Sequence, residues 1–400
     1  MRLYFRLIAL IAVCASLAPL SLARAQQAVP VNILPSQTRV IADGFGQIIE
    51  IALDQPVPYR VFTLDDPWRL VVDMNTVNWN GLSPNFVAGS PGLSSLRFGQ
   101  FTREWSRMVF DLSQPLALTE VEFKTTSNTL DLRLDPTSEA QFAANAGAPD
   151  GVEWQVNATV EVEGEGDIPV IAIDAGHGGV DPGAVRGAIM EKDITLVVAQ
   201  ELRDALLASG RYRVAMIREA DTFVTLRDRV RLARTAGASV LLSLHANTTE
   251  VGVARGTAVY NLSESASDAE TAAIVEFENR SDLLSGVDLE GEEDLIAEIL
   301  VDMAQRETNL LSETLGALLA DNFTTLLDQG ASSRHRWAGF RVLKAPDIPS
   351  VLIELGFMSS SRDLENLQSD DWRAALNGQI IHTLDEWFIK MAESRALMRN

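Results

Sequence analysis

Apolar and polar positions divide the chain into two textures. Between residues 31 and 134 they alternate in short runs bounded by turn residues: Gln47–Leu53 reads QIIEIAL, Arg69–Met74 RLVVDM, Arg107–Leu112 RMVFDL and Thr129–Leu134 TLDLRL. Period-two alternation at this spacing predicts strands with one buried face, and so an all-β sandwich. No His or carboxylate cluster there suggests chemistry. From 169 onward compact apolar runs alternate with helical spacing. Val170–Asp174, Tyr212–Ile217, Val240–Leu244, Gly256–Leu262, Phe340–Leu343 and Val351–Leu355 read as strands. Residues 192–209, with Leu196, Val197, Ala199, Leu202, Leu206 and Leu207, read as a helix, as do 226–236 and Asp371 to about Met391. Strands alternating with helices predict an α/β domain, a mixed sheet covered on both faces. No Pro occurs between Pro182 and Pro346, which permits long helices in 264–328. Between the two textures, 136–168 runs through Ala, Gly, Pro and acidic residues and ends in EVEGEGD, the composition of a flexible, self-repelling linker.

The first residues form a separate unit. Arg2 and Arg6 precede an apolar stretch, and Ala23-Arg24-Ala25 is a small-x-small cleavage site. This is the pattern of a secretory signal peptide over 1–25 rather than a membrane span, since Pro19 breaks it and it is short. No later segment is apolar enough to span a bilayer, so no stable membrane insertion is expected after cleavage. The single cysteine, Cys14, lies in this leader, which leaves the mature chain without disulfides or cysteine-ligated metal. Loss of Arg2, Arg6 and Arg24 would take the formal charge from −22 to −25. Such acidity argues against nucleic-acid binding, which rests on Lys and Arg contacts to phosphate.

Candidate chemistry lies at strand ends. Val170–Asp174 runs into Ala175-Gly176-His177-Gly178-Gly179, Val240–Leu244 into His245-Ala246-Asn247, and Val351–Ile353 into Glu354-Leu355-Gly356-Phe357. In open α/β sheets the ligand site gathers outside the carboxyl ends of strands. Glu191 stands between a Gly-containing loop (Gly183 to Gly187) and the predicted helix. Two imidazoles and a carboxylate form a set that zinc uses in catalytic sites, leaving one position for water. Each residue also has a structural reading: His177 as a turn residue, His245 as a core histidine, Glu191 as a first-turn carboxylate favoured by the helix dipole, Glu354 as a buried acid. Only four His occur, and two of them fall at strand ends. His335 reads as a solvated loop residue and His382 as a helix packing residue.

Four ordered blocks, IDAGHGG (173–179), EKD (191–193), SLHAN (243–247) and ELGF (354–357), resemble the signature of zinc-dependent N-acetylmuramoyl-L-alanine amidases of the cell-separation type over about 169–390. The resemblance implies that His177, Glu191 and His245 hold Zn2+ and that Glu354 is the catalytic acid/base. His-Ala-Asn departs from the more usual His-Ala-Asp, which keeps the ligand and alters a neighbouring contact. FTLDDPWRLVVD (62–73) and LRFGQF (96–101) are similar to the AMIN domains that precede such amidases, β-sandwiches that localise the enzyme on the wall. The implied organisation is a signal peptide over 1–25, an AMIN-like sandwich over 26–135, a linker over 136–168 and a catalytic domain over 169–392, in a periplasmic enzyme acting on peptidoglycan. An exported zinc peptidase and a non-catalytic peptidoglycan-binding protein are the alternatives.

The stretch from Glu264 to Glu307 holds fourteen Asp or Glu and two Arg, yet it is amphipathic. Leu295, Ile296, Ile299, Leu300, Met303 and Ala304 recur at helical spacing, and Ile274, Phe277 and Glu278 share a face. A solvated charged face is one reading. The other is that Glu278, beside apolar neighbours, needs a partner. In the amidases that this chain resembles, a comparable inserted helix blocks the zinc until an activator with a LytM-type domain displaces it. That makes Glu278 the expected blocking residue of a regulatory insert, with Glu276 the alternative register.

Overall fold

The alternating segments pair into two four-stranded antiparallel sheets. One runs, in spatial order, Arg39–Asp43, Gly46–Ala52, Thr129–Pro136 and Leu116–Lys124; the other Tyr59–Leu64, Arg69–Asn75, Trp105–Leu112 and Leu93–Gln100. Their inward residues, among them Ile49, Ile51, Leu70, Val72, Met108, Phe110 and Leu132, share one core. The computed structural model describes residues 30–44, 46–149, 160–249, 255–287, 298–326 and 334–398; the leader with Cys14 lies outside these, as do Leu295 and Ile296 of the predicted acidic insert. On the strand Arg69–Asn75 the outward residues Arg69, Val71 and Asp73 are as buried as the inward ones. The outer face of this sheet is covered by the second domain.

The stretch read as a linker is structured at both ends. Glu139–Asn145 is a helix whose Ser138 hydroxyl accepts from the Gln141 N–H, and its Phe142 plugs into the sandwich core. Ser-x-x-Gln is a capping-box spacing, a signal that composition alone conceals. Residues 150–159 lie outside the described residues.

The second domain contains strands β1 (Val162–Glu163), β2 (Val170–Ala175), β3 (Arg213–Met216), β4 (Val240–His245), β5 (Ala258–Leu262), β6 (Arg334–Ala338) and β7 (Ser350–Glu354). They form one mixed sheet in the order β1-β3-β2-β4-β7-β5-β6. Helices α1 (Glu191–Ser209), α2 (Leu226–Thr235), α3 (Ala269–Asn279), α4 (Ser281–Leu284), α5 (Glu298–Leu326), α6 (Ser361–Gln368) and α7 (Asp370–Met398) surround it. Ile171, Ile173, Leu242, Leu244 and Ile353 face α1, α5 and α7. The alternate positions Ala172 and Leu241 face α2, and Tyr260 and Leu352 face α3. Both faces are thus covered, as the near-continuous apolar runs require. Strands β2, β4 and β7 are adjacent and parallel, with Ala175 opposite Leu244 and His245 opposite Glu354, so their carboxyl ends emerge side by side.

Three expectations are corrected. Phe340–Leu343 is not a strand; Arg341–Leu343 is a short 3-10 turn, and the strand is β6, whose Arg-His-Arg-Trp run hides it from a hydropathy reading. Phe340, Val342 and Leu343 are apolar because they pack beneath α3. His335 is therefore a half-buried strand residue, with Nε2 2.6 Å from Asn261 Oδ1, rather than a solvated loop residue. His382 is exposed on α7, while its neighbours Ile381 and Thr383 make the packing contacts.

Beneath the strand ends lies a buried ion pair. Arg229 donates to Asp174 Oδ1 (2.6 Å) and to the carbonyls of Val224 (3.0 Å), Ala175 (2.9 Å) and His177 (2.9 Å). The Ser243 hydroxyl donates to the other Asp174 oxygen at 2.7 Å. Removing one member of such a pair leaves an uncompensated buried charge. Arg229→Met is therefore expected to lower the stability of this domain by about 3–5 kcal/mol, read as an earlier midpoint in denaturant unfolding; an unchanged midpoint would exclude this role.

Candidate metal centre

Each candidate side chain reaches the site by a local necessity. Beyond β2 the chain turns sharply, and Gly176 leaves room for the His245 ring: a Cβ there would lie 2.5 Å from His245 Cε1. His177 itself adopts φ 60, a left-handed conformation unfavourable for a residue with a Cβ. The Arg229 bond to its carbonyl holds it there. Glu191 opens α1, and its carboxylate accepts from the Ala184 N–H (2.9 Å) and the Ala246 N–H (2.8 Å), linking the loop, the helix and the end of β4. Glu354 closes β7 and accepts from the Asn247 N–H at 3.0 Å through Oε2.

The structure brings His177, Glu191 and His245 together and adds Glu278 from α3; one ligand atom from each lies within 4.8 Å of the others. Glu191 Oε1 is 3.2 Å from His177 Nε2 and 3.3 Å from His245 Nδ1. Glu278 Oε2 is 3.5 Å and 3.2 Å from the same two nitrogens. A tetrahedral cation with bonds of about 2.0–2.1 Å has ligands separated by about 3.3–3.4 Å, so these distances match the edges of such a tetrahedron. Both imidazole nitrogens are buried and make no hydrogen bond. Buried polar atoms without partners are rare, and two aimed at one point suit a divalent ion. Across the His177 ring, Nδ1 lies 2.8 Å from Asp181 Oδ2. A carboxylate only accepts, so Nδ1 carries the proton and Nε2 presents its lone pair to the site, the orientation a metal ligand needs.

The electrostatics agree. Burial disfavours the charged form of both imidazoles, yet Asp181, Glu191 and Glu278 outweigh it for His177 and raise it well above its usual range. For His245, Glu278 and Glu191 outweigh burial and raise it to about 10. Glu191 and Glu278 are held below the usual range because the two histidines overcome their burial. The site thus draws positive charge to itself, and a divalent cation supplies it without protonating the ligands. Glu354 goes the other way. Burial, reinforced by the Glu191 carboxylate, pushes it up to about 8. Its Oε1 is buried without a partner.

Of the two candidates on the acidic insert, Glu278 is at the site. Glu276 is 71% exposed and paired with Arg280 on the surface. Glu278 is also held by Asn247, whose Nδ2 donates to its Oε1 at 2.9 Å. The departure from His-Ala-Asp therefore supplies a donor where a carboxylate would repel. Sequence reasoning missed Asp181, whose signal is an acid four residues after His177 in a Gly-rich turn. It also missed the Lys192 ammonium, which donates to the Gly179 carbonyl and to Asp221, both at 2.8 Å, and so steadies the His177 loop.

Comparison with known proteins adds two domain matches. The model of the N-acetylmuramoyl-L-alanine amidase family matches residues 171–386, and that of the AMIN domain matches 37–134. The N-acetylmuramoyl-L-alanine amidase AmiC of Neisseria meningitidis serogroup B is 35% identical, with 79% of this chain and 80% of that protein aligned. AmiC of Escherichia coli O6:H1 is 30% identical, with 93% and 92% aligned. Among solved structures, an N-acetylmuramoyl-L-alanine amidase from Clostridium difficile 630 covers 56% of this chain and 98% of its own, at 21% identity and a TM-score of 0.41.

The Asp181 contact makes a direct test of the centre. Asp181→Ala is expected to weaken divalent-metal affinity by roughly 10–100-fold, measured by competition with a chromophoric chelator. Wild-type affinity would show that Asp181 does not orient His177 for a metal.

Proposed function

The chain belongs to the N-acetylmuramoyl-L-alanine amidase family, with an AMIN domain ahead of its catalytic domain, and from that premise we propose that it is a zinc-dependent hydrolase of bacterial peptidoglycan, self-inhibited in the form described here. The bond cut joins the lactyl group of N-acetylmuramic acid to the L-alanine of the stem peptide, during wall remodelling and daughter-cell separation. The observation that carries this reading is the convergence of two unpartnered buried imidazole nitrogens with Glu191 on one point, beside a carboxyl raised to about 8.

In this reading His177, Glu191 and His245 are the protein ligands. Zinc held there would lower the pKa of a bound water towards about 7 and polarise the lactyl carbonyl. Glu354 moves the protons. The Asn247 N–H fixes its Oε2, leaving Oε1 to take the proton of the attacking water and return it to the departing nitrogen of L-alanine. Burial raises the proton affinity of Glu354 above that of an ordinary carboxylate, which suits one group serving first as base and then as acid. Glu278 lies against both imidazole nitrogens, where it would keep water and substrate from a metal held by His177, Glu191 and His245. The described form is closed, and an activator with a LytM-type domain is the partner that would draw Glu278 away. The AMIN domain keeps the enzyme on the wall. The leader directs export to the periplasm; it lies outside the described residues, among which no helix is long and apolar enough to cross a membrane.

Three outcomes test this reading. Digestion of purified sacculi should release free stem peptides and leave unsubstituted glycan, identified by mass, and a chelator should abolish it; products cut within the peptide would indicate a peptidase instead. Glu354→Gln should retain zinc yet lose at least about 10²-fold in turnover, and a near wild-type rate would remove Glu354 from the mechanism. Glu278→Ala should raise dye release from labelled sacculi without an activator. If wild type is already fully active, Glu278 is not a plug.

A further inference from the structure

The N-terminal sandwich touches both the loop that carries His177 and the segment that carries Glu278. On the loop side, the Val180 N–H donates to the Gln100 carbonyl at 3.1 Å. Gly99 lies against Gly179 so closely that a Cβ on Gly99 would stand 2.2 Å from the Gly179 carbonyl oxygen. Phe101 stacks on Phe223 with ring centroids 5.6 Å apart, and Val109, Val180 and Val287 close the same apolar cluster.

On the Glu278 side the contacts centre on two buried arginines. Arg107 grips Asp73 with Nε and Nη2 at 2.6 and 2.8 Å, and its Nη1 donates to the Gly286 carbonyl at 2.7 Å. Its guanidinium lies 3.5 Å over the Phe101 ring. Arg69 donates through Nη1 to the Leu283 carbonyl. Gly286, at φ 74, comes so near the sheet that a Cβ would meet Val71 and Val109 at 3.2 and 3.3 Å. Between Glu278 and Gly286 the chain is the end of α3 followed directly by α4, and Asp282 of α4 accepts from the Leu226 N–H at 3.0 and 3.1 Å. This short, helical, doubly anchored connection makes the position of Glu278 depend on the carbonyls that the two arginines hold.

We propose that the outer face of the sandwich sheet, built from Arg69, Val71, Phe101, Arg107 and Val109, is a docking surface for residues 281–287 of this same chain, and that it clamps Glu278 in the closed position. The inference rests on the reading of Glu278 as a plug. When the segment leaves, the two buried guanidinium groups each lose a carbonyl acceptor, and the sheet loses the apolar cover of Gly286 and Val287. Opening the plug and undocking the sandwich therefore favour each other by the same factor. A pull on the sandwich from the wall it binds would lower the work an activator must do.

The test uses the full-length zinc protein with substitutions in the sandwich. Gly99 sits in a strand with ordinary backbone, so Gly99→Leu leaves the domain able to fold and wedges it away from Gly179. Val71→Gln acts at Gly286, apart from the His177 loop. Circular dichroism and zinc content establish folding, hydrogen exchange follows residues 269–287, and dye release from sacculi without activator gives basal activity, with Glu278→Ala in parallel. Both variants are expected to exchange faster over 269–287 and to raise basal activity by roughly 5-fold or more, the lower end of usual coupling between sites. Unchanged exchange in folded variants overturns the clamp, as does faster exchange with unchanged basal activity when Glu278→Ala is activated. Faster exchange with an inactive Glu278→Ala keeps the clamp on the segment and refutes the plug. In the unmodified protein, amides of 281–287 and 98–101 should exchange as one cooperative unit; independent exchange also overturns the clamp.

Discussion

An excess of buried negative charge around two imidazoles governs the centre. Asp181, Glu191, Glu278 and Glu354 are all buried within reach of His177 and His245. Carboxylates removed from water are tolerated only beside compensating positive charge or donors. The chain provides some through the backbone N–H groups of Ala184, Ala246 and Asn247, and the rest must come from protons on the imidazoles or from a cation. A divalent cation bound here would settle the loops at the strand ends in the same equilibrium, with proton release attached to it. The same excess sorts the acids by role. Those facing the histidines stay ionised, while Glu354, which feels Glu191 and Glu278 as like charges, is pushed towards its protonated form.

That balance also explains how a side chain from a separate segment can occupy the centre without distorting it. Glu278 brings one more negative charge to a place that already carries several, and the cost is met by Asn247. The Asn247 carboxamide uses both ends, accepting from the Thr248 N–H at 2.7 Å and donating to Glu278 at 2.9 Å. An aspartate would keep the first bond and turn the second into repulsion. An amide at 247 therefore favours Glu278 in this position, while His245 two residues earlier is untouched.

Much of this was legible in the sequence, for physical reasons. Buried parallel strands are continuous apolar runs, so β2, β4 and β7 were visible together with the residues at their ends. The sandwich strands showed through their alternation. What failed was any feature whose partner is distant. β6 is polar because it lies at the sheet edge, and its His335 is satisfied by Asn261 across the ladder, which no local pattern announces. Phe340 and Leu343 are apolar through packing rather than pairing. Asp181 gains meaning only once His177 turns back towards it. Arg69 and Asp73 looked like the solvated half of an alternating strand, and the second domain is what buries them.

Gly99 shows how far such distant demands reach. Its backbone lies outside the left-handed region, one residue before the end of an eight-residue strand, where a β-branched residue would serve its own sheet better. The tightest contacts that ask for glycine come from the other domain, above all the Gly179 carbonyl. Gly179 is constrained twice over, by a φ of 58 and by Gln100 opposite. In related chains, then, the letter at the position of Gly99 is a marker of architecture. Glycine permits this docked arrangement, and any larger residue implies that the two domains are set apart or joined along another surface.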